Sequence, residues 1–398
     1  MPGEYTNPRP PGARHNKATK HDSRRSNLRT TLELVSTQGA TSRAEIARQT
    51  GLTRAAVSSL VAELIEQGLL RELGQGTSAG GKPPTLLALN ERGRDIVALD
   101  LGHRPFRAAL VDLSGRIHER IDAGEVSPGT VPIGMAAHEV ATELIESLIK
   151  RAAAPVLGIG VGTPGVVDSD GRVIEAINLD WHRLDLAGAL RRRFDIPISI
   201  ANDAQVAALA EFRRHPADRR NLILVKLGMG VGAGIVLNGT LHRGDHGAAG
   251  EIGHVRVMAE GEPCRCGNRG CLETVASIPA ILRRLGVAAD QHPWDALTLA
   301  GLVGEEPVRS ALSEAGRHLG MVLASVVAML DVGHLVIAPE LRNAGDILVD
   351  QVREELNSRI LPTTADLIEI EVTQLGGDLV LAGAASAVLA DRLGVVLR

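Results

Sequence analysis

The stretch Cys264-Arg265-Cys266-Gly267-Asn268-Arg269-Gly270-Cys271-Leu272-Glu273 holds all three cysteines of the 398-residue chain, and His254 stands ten positions before the first of them. Three thiolates and one imidazole make a complete donor set for a tetrahedral Zn²⁺ ion. Gathering Cys264, Cys266 and Cys271 around one ion demands a tight reversal of the backbone. Gly267 and Gly270 permit it, because glycine enters positive φ without a Cβ clash. The plain alternative is a loop with three reduced cysteines, but random scatter rarely gathers every cysteine of so long a chain into eight positions. An odd cysteine count also argues against a disulfide framework. The sequence therefore predicts zinc as a cofactor, with His254, Cys264, Cys266 and Cys271 as its ligands.

Around this stretch the composition is that of an α/β protein. The chain is long enough for two or three domains. Aromatics are only 2% while glycine reaches 44 residues, which suits an aliphatic core with many tight turns. No apolar run approaches the roughly 18 residues of a membrane helix. The first 25 residues are polar and proline-rich, without an apolar signal-peptide centre. The expectation is a cytoplasmic protein with no membrane partner, in a compartment that keeps thiols reduced. Net charge is −4 but uneven: residues 1–90 hold 12 Lys and Arg against 7 Asp and Glu, and the rest of the chain holds 31 against 40. A small basic module ahead of a larger acidic one suggests nucleic-acid binding joined to a second activity.

Residues 1–22 contain four prolines and almost no large apolar side chains, and read as a disordered arm. Residues 23–90 read as a winged helix-turn-helix. Leu28, Leu32 and Val35 place an apolar stripe on a first helix. Ser42-Arg43-Ala44-Glu45 is a capping-box pattern that starts a second, short helix ending near Thr50. Gly51 and Leu52 turn the chain, and Thr53 caps a third helix whose apolar face is Val57, Leu60, Val61, Leu64 and Ile65. Strands Leu69 to Leu73 and Thr85 to Leu89 then flank a loop from Gly74 to Gly81, stiffened by Lys82, Pro83 and Pro84. In such a motif the outward N-terminal part of the second helix of the pair meets base edges in the major groove. The DNA-facing candidates are Arg43, Thr53, Arg54, Ala55, Ser58, Ser59 and Lys82. Arg54 suits a bidentate contact to guanine, and Lys82 suits phosphate. A helical protein-binding module with a hairpin is the alternative.

Residues 91–398 alternate apolar strands with glycine-bearing turns and helices, an α/β layered pattern. Strands are expected at 96–102, 106–112, 156–162 and 222–227, and helices at 135–151, 204–213 and 307–330. The glycine run 228–234 suits either a phosphate cradle or a tight hairpin. Asn202-Asp203, between a strand and a helix, suits hydroxyl binding, a general base, or an ordinary helix cap.

From about residue 24 onward the chain resembles the ROK family of repressors, open reading frames and kinases. Glu251-Ile252-Gly253-His254 matches the family's E-x-G-H. The pattern Cys264-x-Cys266-Gly267-x-x-Gly270-Cys271-x-Glu273 matches its C-x-C-G-x-x-G-C-x-E. A winged helix-turn-helix ahead of this domain is similar to the repressor branch. The resemblance implies a two-lobed actin-like (ribonuclease H-like) ATPase/sugar kinase fold. It implies a sugar pocket lined by Asn202, Asp203, Glu251, His254 and Glu273, with Gly165 and Asn178 nearby, and a zinc loop over 254–273.

Three positions depart from the family kinases. Their Asp-x-Gly-Gly-Thr is here Asp100-Leu101-Gly102-His103-Arg104. Their Gly-Thr-Gly is Gly228-Met229-Gly230, which replaces a hydroxyl with a thioether. Where a glycine cluster is expected, Ala338-Pro339-Glu340 stands, with a rigid turn and a negative charge. The sequence therefore predicts a sugar-responsive DNA-binding transcriptional regulator, a repressor of carbohydrate genes, and not an enzyme. Asp203, the kinase base position, becomes a ligand contact. Expected partners are a palindromic double-stranded operator, a small sugar effector, and a second copy in a homodimer or tetramer. The alternatives are an active ROK-type hexose kinase that also binds DNA, and a regulator that answers a phosphosugar or a partner protein.

Overall fold

The computed structural model describes residues 20–77, 83–103, 105–126, 133–216, 218–286, 305–340 and 345–395. Residues 1–19 of the expected arm, Lys82 and the tip of the wing, and Arg104 lie outside the described residues. Helix α1 (Lys20–Gln38) begins within the span read as an arm and buries Leu32 and Val35. Ser42 caps α2 (Arg43–Thr50), its hydroxyl accepting from the Glu45 amide at 3.2 Å. Only this half of the expected capping box forms, since the Glu45 carboxylate turns to Arg48 and Gln49. Gly51 closes α2 at φ 71°, and Thr53 caps α3 (Arg54–Glu66) by accepting from the Ala56 amide at 3.2 Å. Helix α3 buries Val57, Leu60, Val61 and Leu64, the face its periodicity predicts. Strands β1 (Thr41–Ser42), β2 (Leu70–Gln75) and β3 (Thr85–Leu89) pair in the order β1-β3-β2. The two-residue β1 is too short to leave a periodic signal.

The first lobe opens with β4 (Asp95–Asp100), buried at all six positions. Next come β5 (Arg107–Asp112), β6 (Ile117–Asp122), the single turn α4 (Ala123–Val126) and α5 (Gly134–Arg151), then β7 (Val156–Thr163). A small sheet of β8 (Val166–Val167), β9 (Val173–Ala176) and β10 (Trp181–Leu184) precedes α6 (Leu186–Arg193), β11 (Ile198–Asn202) and α7 (Asp203–Arg214). The second lobe holds β12 (Leu222–Leu227), β13 (Val231–Leu237), β14 (Thr240–His242), α8 (Glu273–Ala276), α9 (Ile278–Arg284) and α10 (Glu306–Leu330). It continues with β15 (His334–Pro339), α11 (Gly345–Arg359), α12 (Pro362–Ala365) and β16 (Glu369–Val372), after which α13 (Leu379–Leu393) returns to pack on β4, β7 and β11 of the first lobe.

The two main sheets, β11-β7-β4-β5-β6 and β14-β13-β12-β15-β16, share one plan. In each, the first strand is central, the second and third run antiparallel on one side, and the fourth and fifth run parallel on the other. This is the two-lobed actin-like arrangement. The glycine run resolves as a hairpin, with Leu227 opposite Val231 and the ladder continuing to Leu222 and Val236.

Helices α7 and α13 pack together between the lobes and share a core with β12 and β15. The approach is close: a Cβ on Gly383 would lie 2.0 Å from the Val206 carbonyl oxygen. Helix α13 also reaches the winged helix, because Leu32, Val35 and Leu69 belong to one continuous core with Ile96, Val111, Leu381 and Leu389. Arg94 Nε donates to the Gln67 carbonyl at 2.8 Å and Asn90 Nδ2 to that of Gly68 at 3.2 Å, pinning the seam. The winged-helix module is thus continuous with the first lobe. Among the described residues no helix is long and apolar enough to cross a membrane.

Candidate functional site

A cleft of about 340 Å³ opens between the lobes where β7, β11 and α7 face the hairpin β12–β13 and the loop 251–273. All five sequence-predicted sugar residues, Asn202, Asp203, Glu251, His254 and Glu273, line it, as do Gly165 and Asn178. Asn202 ends β11 and caps α7, its Oδ1 accepting from the Ala204 amide at 2.9 Å and the Gln205 amide at 3.2 Å. The same side chain donates through Nδ2 to the Gly165 carbonyl at 2.9 Å and to Glu251 Oε1 at 3.4 Å. The helix-cap and cleft-lining readings of Asn202 therefore both hold. Asp203 Oδ1 accepts from the Ala204 amide at 2.8 Å, leaving Oδ2 on the cleft side, 3.3 Å from Lys226 Nζ.

Glu251 and Glu273 enter from the second lobe. Burial, then the charges of Asp203 and Glu273, push the Glu251 carboxyl up to about 7. Burial also raises Glu273, against the pull of His254. A carboxyl held near the neutral range, as Glu251 is, can donate or accept, which fits it to the hydroxyls of a carbohydrate.

The far end of the cleft carries a residue that the sequence reading passed over. Lys226 sits inside the apolar strand β12, and its Nζ lies 2.6 Å from Glu340 Oε1. Burial opposes its charge, but the carboxylates of Glu340, Asp203 and Asp100 outweigh it, and Lys226 stays protonated well above the usual lysine range. Asp100 is buried beneath the same group, and burial pushes it up to about 7. Its Oδ1 accepts from the Gly102 amide at 2.9 Å and the His103 amide at 3.2 Å. Glu340 leans over the hairpin turn: a Cβ on Gly228 would lie 2.3 Å from its carboxyl. The one signal available was a lysine within Leu222-Ile223-Leu224-Val225-Lys226-Leu227, where a charge has no place without partners.

The cysteine loop stands beside the cleft. His254 Nδ1 is 3.6 Å from Cys264 Sγ, and Cys266 Sγ is 3.7 Å from Cys271 Sγ. The four donor atoms all lie within 4.8 Å of one another. Metal–sulfur bonds of about 2.3 Å and a metal–nitrogen bond of about 2.0 Å at tetrahedral angles place two sulfurs about 3.8 Å apart, and sulfur and nitrogen about 3.5 Å apart. These donors fit one zinc ion. Burial, reinforced by the neighbouring Cys266 and Cys264, pushes the Cys271 thiol up to about 12, a cost that a bound cation would reverse. Gly267 and Gly270 adopt φ 91° and 71°, the turns the reversal requires. His254 Nε2 lies 3.9 Å from Glu251 Oε2, so one imidazole touches both the cysteine loop and the cleft. Arg265, between two cysteines, donates to Asn178 Oδ1 at 2.9 Å and bridges the loop to the first lobe.

On the winged helix, Arg54, Ala55 and Ser58 are exposed on one face of α3. Thr53 is spent partly on its cap. Arg43 is paired with Glu72 at 2.8 Å, and Ser59 lies 3.5 Å from Arg24, which also pairs with Glu63. Among the described residues, Arg54, Ala55 and Ser58 have no internal pairing partner, whereas Arg43 and Ser59 have neighbours within the module.

Comparison with known proteins places this geometry. Residues 96–391 match the ROK family and residues 30–77 the MarR family. A xylose repressor of Bacillus spizizenii is 29% identical over 89% of this chain and 92% of its own length. A glucokinase of Halalkalibacterium halodurans is 32% identical over 71% of this chain and 91% of its own. A solved ROK family transcriptional regulator, a homolog of the E. coli MLC protein, superposes with a TM-score of 0.78 at 25% identity, covering 94% of this chain and 98% of that one.

Proposed function

Since the chain belongs to the ROK family and carries a MarR-type winged helix at its N-terminus, we propose that it is a sugar-responsive DNA-binding transcriptional regulator, a repressor of carbohydrate genes. The observation that carries this reading is the Lys226–Glu340 pair. The carboxylate of Glu340 stands against Gly228, where a kinase of this fold would bring phosphate, and adds negative charge there. The opposite end of the cleft keeps the hydroxyl-binding set. Phosphoryl transfer is therefore not its role, although the relative named glucokinase shares most of the same domain.

A free sugar is held by Asn202 and Asp203 from the first lobe and by Glu251, His254 and Glu273 from the second. Such a set discriminates strongly, because a ligand lacking one hydroxyl leaves a buried polar group unpaired. Zinc held by His254, Cys264, Cys266 and Cys271 supplies a rigid fold to the loop that carries His254 and leads into Glu273. Ligand drawn between the lobes shifts α7, whose first residue is Asp203. Helix α7 packs on α13, and α13 shares its core with the winged helix. In a homodimer that shift alters the spacing of two recognition helices on a palindromic operator. A ligand preferring one lobe arrangement by a few kcal/mol changes operator occupancy greatly.

Thermal unfolding of the zinc-loaded protein against pentoses, hexoses and N-acetylated and phosphorylated sugars, with and without MgATP, tests the reading. Xylose is the first ligand to try, given the repressor similar to this chain. A rise in midpoint with a free sugar and none with MgATP is expected. Sugar-dependent ATP consumption would instead establish the kinase.

A further inference from the structure

At the end of the second lobe remote from the cleft, three donor atoms converge from three elements. His215 follows the last turn of α7, His334 begins β15, and Glu371 lies on β16. His215 Nε2 is 3.3 Å from His334 Nε2, and Glu371 Oε1 is 3.2 Å from each of them. The three atoms form a nearly equilateral triangle. Metal–ligand bonds of about 2.0 Å at tetrahedral angles place nitrogen and oxygen donors about 3.3 Å apart, so this triangle is one face of such a site.

We propose that His215, His334 and Glu371 form a second divalent-cation site, of the zinc class, independent of the cysteine loop. Two imidazoles and one carboxylate are a recognised donor set for zinc that leaves a fourth position for water. Both rings are close to buried, at 12% and 6% side-chain exposure, while Glu371 is 46% exposed and gives the ion a path from solvent.

The ring nitrogens have a competitor. Arg219 Nη1 lies 2.9 Å from His334 Nε2, while its other amino group pairs with Glu369. A divalent ion displaces this single charge from the imidazole, and Arg219 keeps Glu369. Behind His215 stands the buried Glu211, with its Oε1 3.7 Å from Nε2 and its Oε2 accepting from Thr373 Oγ1 at 2.7 Å. Three carboxylates, Glu211, Glu369 and Glu371, surround the position against two guanidiniums, Arg219 and Arg214, the latter 3.0 Å from Glu211 Oε1, so the surroundings keep a net negative charge that favours a doubly charged ion. The bound ion ties the C-terminal end of α7 to β15 and β16, the ends of those elements opposite the cleft.

Cobalt titration of the metal-free full-length protein distinguishes the two sites, because only the cysteine loop gives thiolate-to-metal charge-transfer absorption. The expected result is two ions per chain by mass spectrometry, with the thiolate absorption complete after the first. Glu371→Gln and His215→Asn each reduce the count to one while leaving the thiolate absorption unchanged, which also shows that these variants fold. Arg219→Gln, which removes the competing cation, tightens the second step. One ion per wild-type chain, or two retained in both ligand variants, overturns the proposal.

Discussion

Where Asn202, Glu251 and Glu273 meet, carboxyl groups crowd one another and burial holds Glu251 up to about 7. Where β12, β15 and the turn after β4 meet, Lys226 is closed on Glu340 at 2.6 Å and on Asp203 at 3.3 Å. Both ends belong to one cleft. The first has donors and acceptors that a ligand's hydroxyls would complete. The second is completed by the protein itself, with a carboxylate where the kinase reaction needs to receive phosphate. On the proposed reading, a fold shared with kinases keeps its recognition half while an internal ion pair occupies the other, and Asp203 stands on the border between them.

The contrast can be broken most severely at the metal loop. Cys271→Ser is expected to abolish zinc binding at that loop, expose residues 254–273 to proteolysis and weaken sugar binding by roughly 100-fold. Full sugar affinity in that variant would separate the loop from recognition. Asp203→Asn should lower sugar affinity by roughly 10- to 100-fold while leaving zinc content intact, since a charged hydrogen bond to a ligand hydroxyl is lost. Isothermal titration checks this, and an effector that still acts at wild-type strength would place its site elsewhere.

Asp100→Asn sharpens the contrast through pH. The carboxyl of Asp100 is pushed from 3.8 up to about 7, so between those values the unfolded chain has lost a proton that the native state retains. Wild-type stability therefore falls as pH rises through that window. The variant lacks this loss, and its advantage in urea unfolding should be absent near pH 4 and on the order of 1 to 2 kcal/mol above pH 7, allowing for water entry into the cleft. A constant difference across pH would assign the proton elsewhere. Smallest is Glu340→Gly, which should give a several-fold gain in MgATP affinity measured by nucleotide titration, with Lys226 freed for phosphate. No gain would mean that Met229 and the His103 turn already close the nucleotide end.

The winged helix was legible because its apolar residues recur with a single period and its caps are written locally: Ser42 and Thr53 form the expected amide contacts. The gathering of His254 with the three cysteines was legible because these residues lie close together in sequence. Pairings between distant residues were not. Lys226 and Glu340 lie 114 residues apart, and neither signals the other until β12 and β15 align in parallel with Leu227 opposite Pro339. The cluster of His215, His334 and Glu371 joins elements with no motif spacing at all. For the same reason the pairing of Arg43 with Glu72 was invisible, since each residue reads as a solvent-facing charge.

Operator affinity measured by fluorescence anisotropy, on a duplex selected from random sequence by the full-length protein, tests the central claim most directly. With the free sugar that raises the unfolding midpoint, wild-type affinity should change by at least about tenfold. In Asp203→Asn it should remain at the sugar-free value under the same sugar concentration. Unchanged operator affinity in the wild type, despite bound sugar, would contradict the coupling of cleft to winged helix on which the account rests.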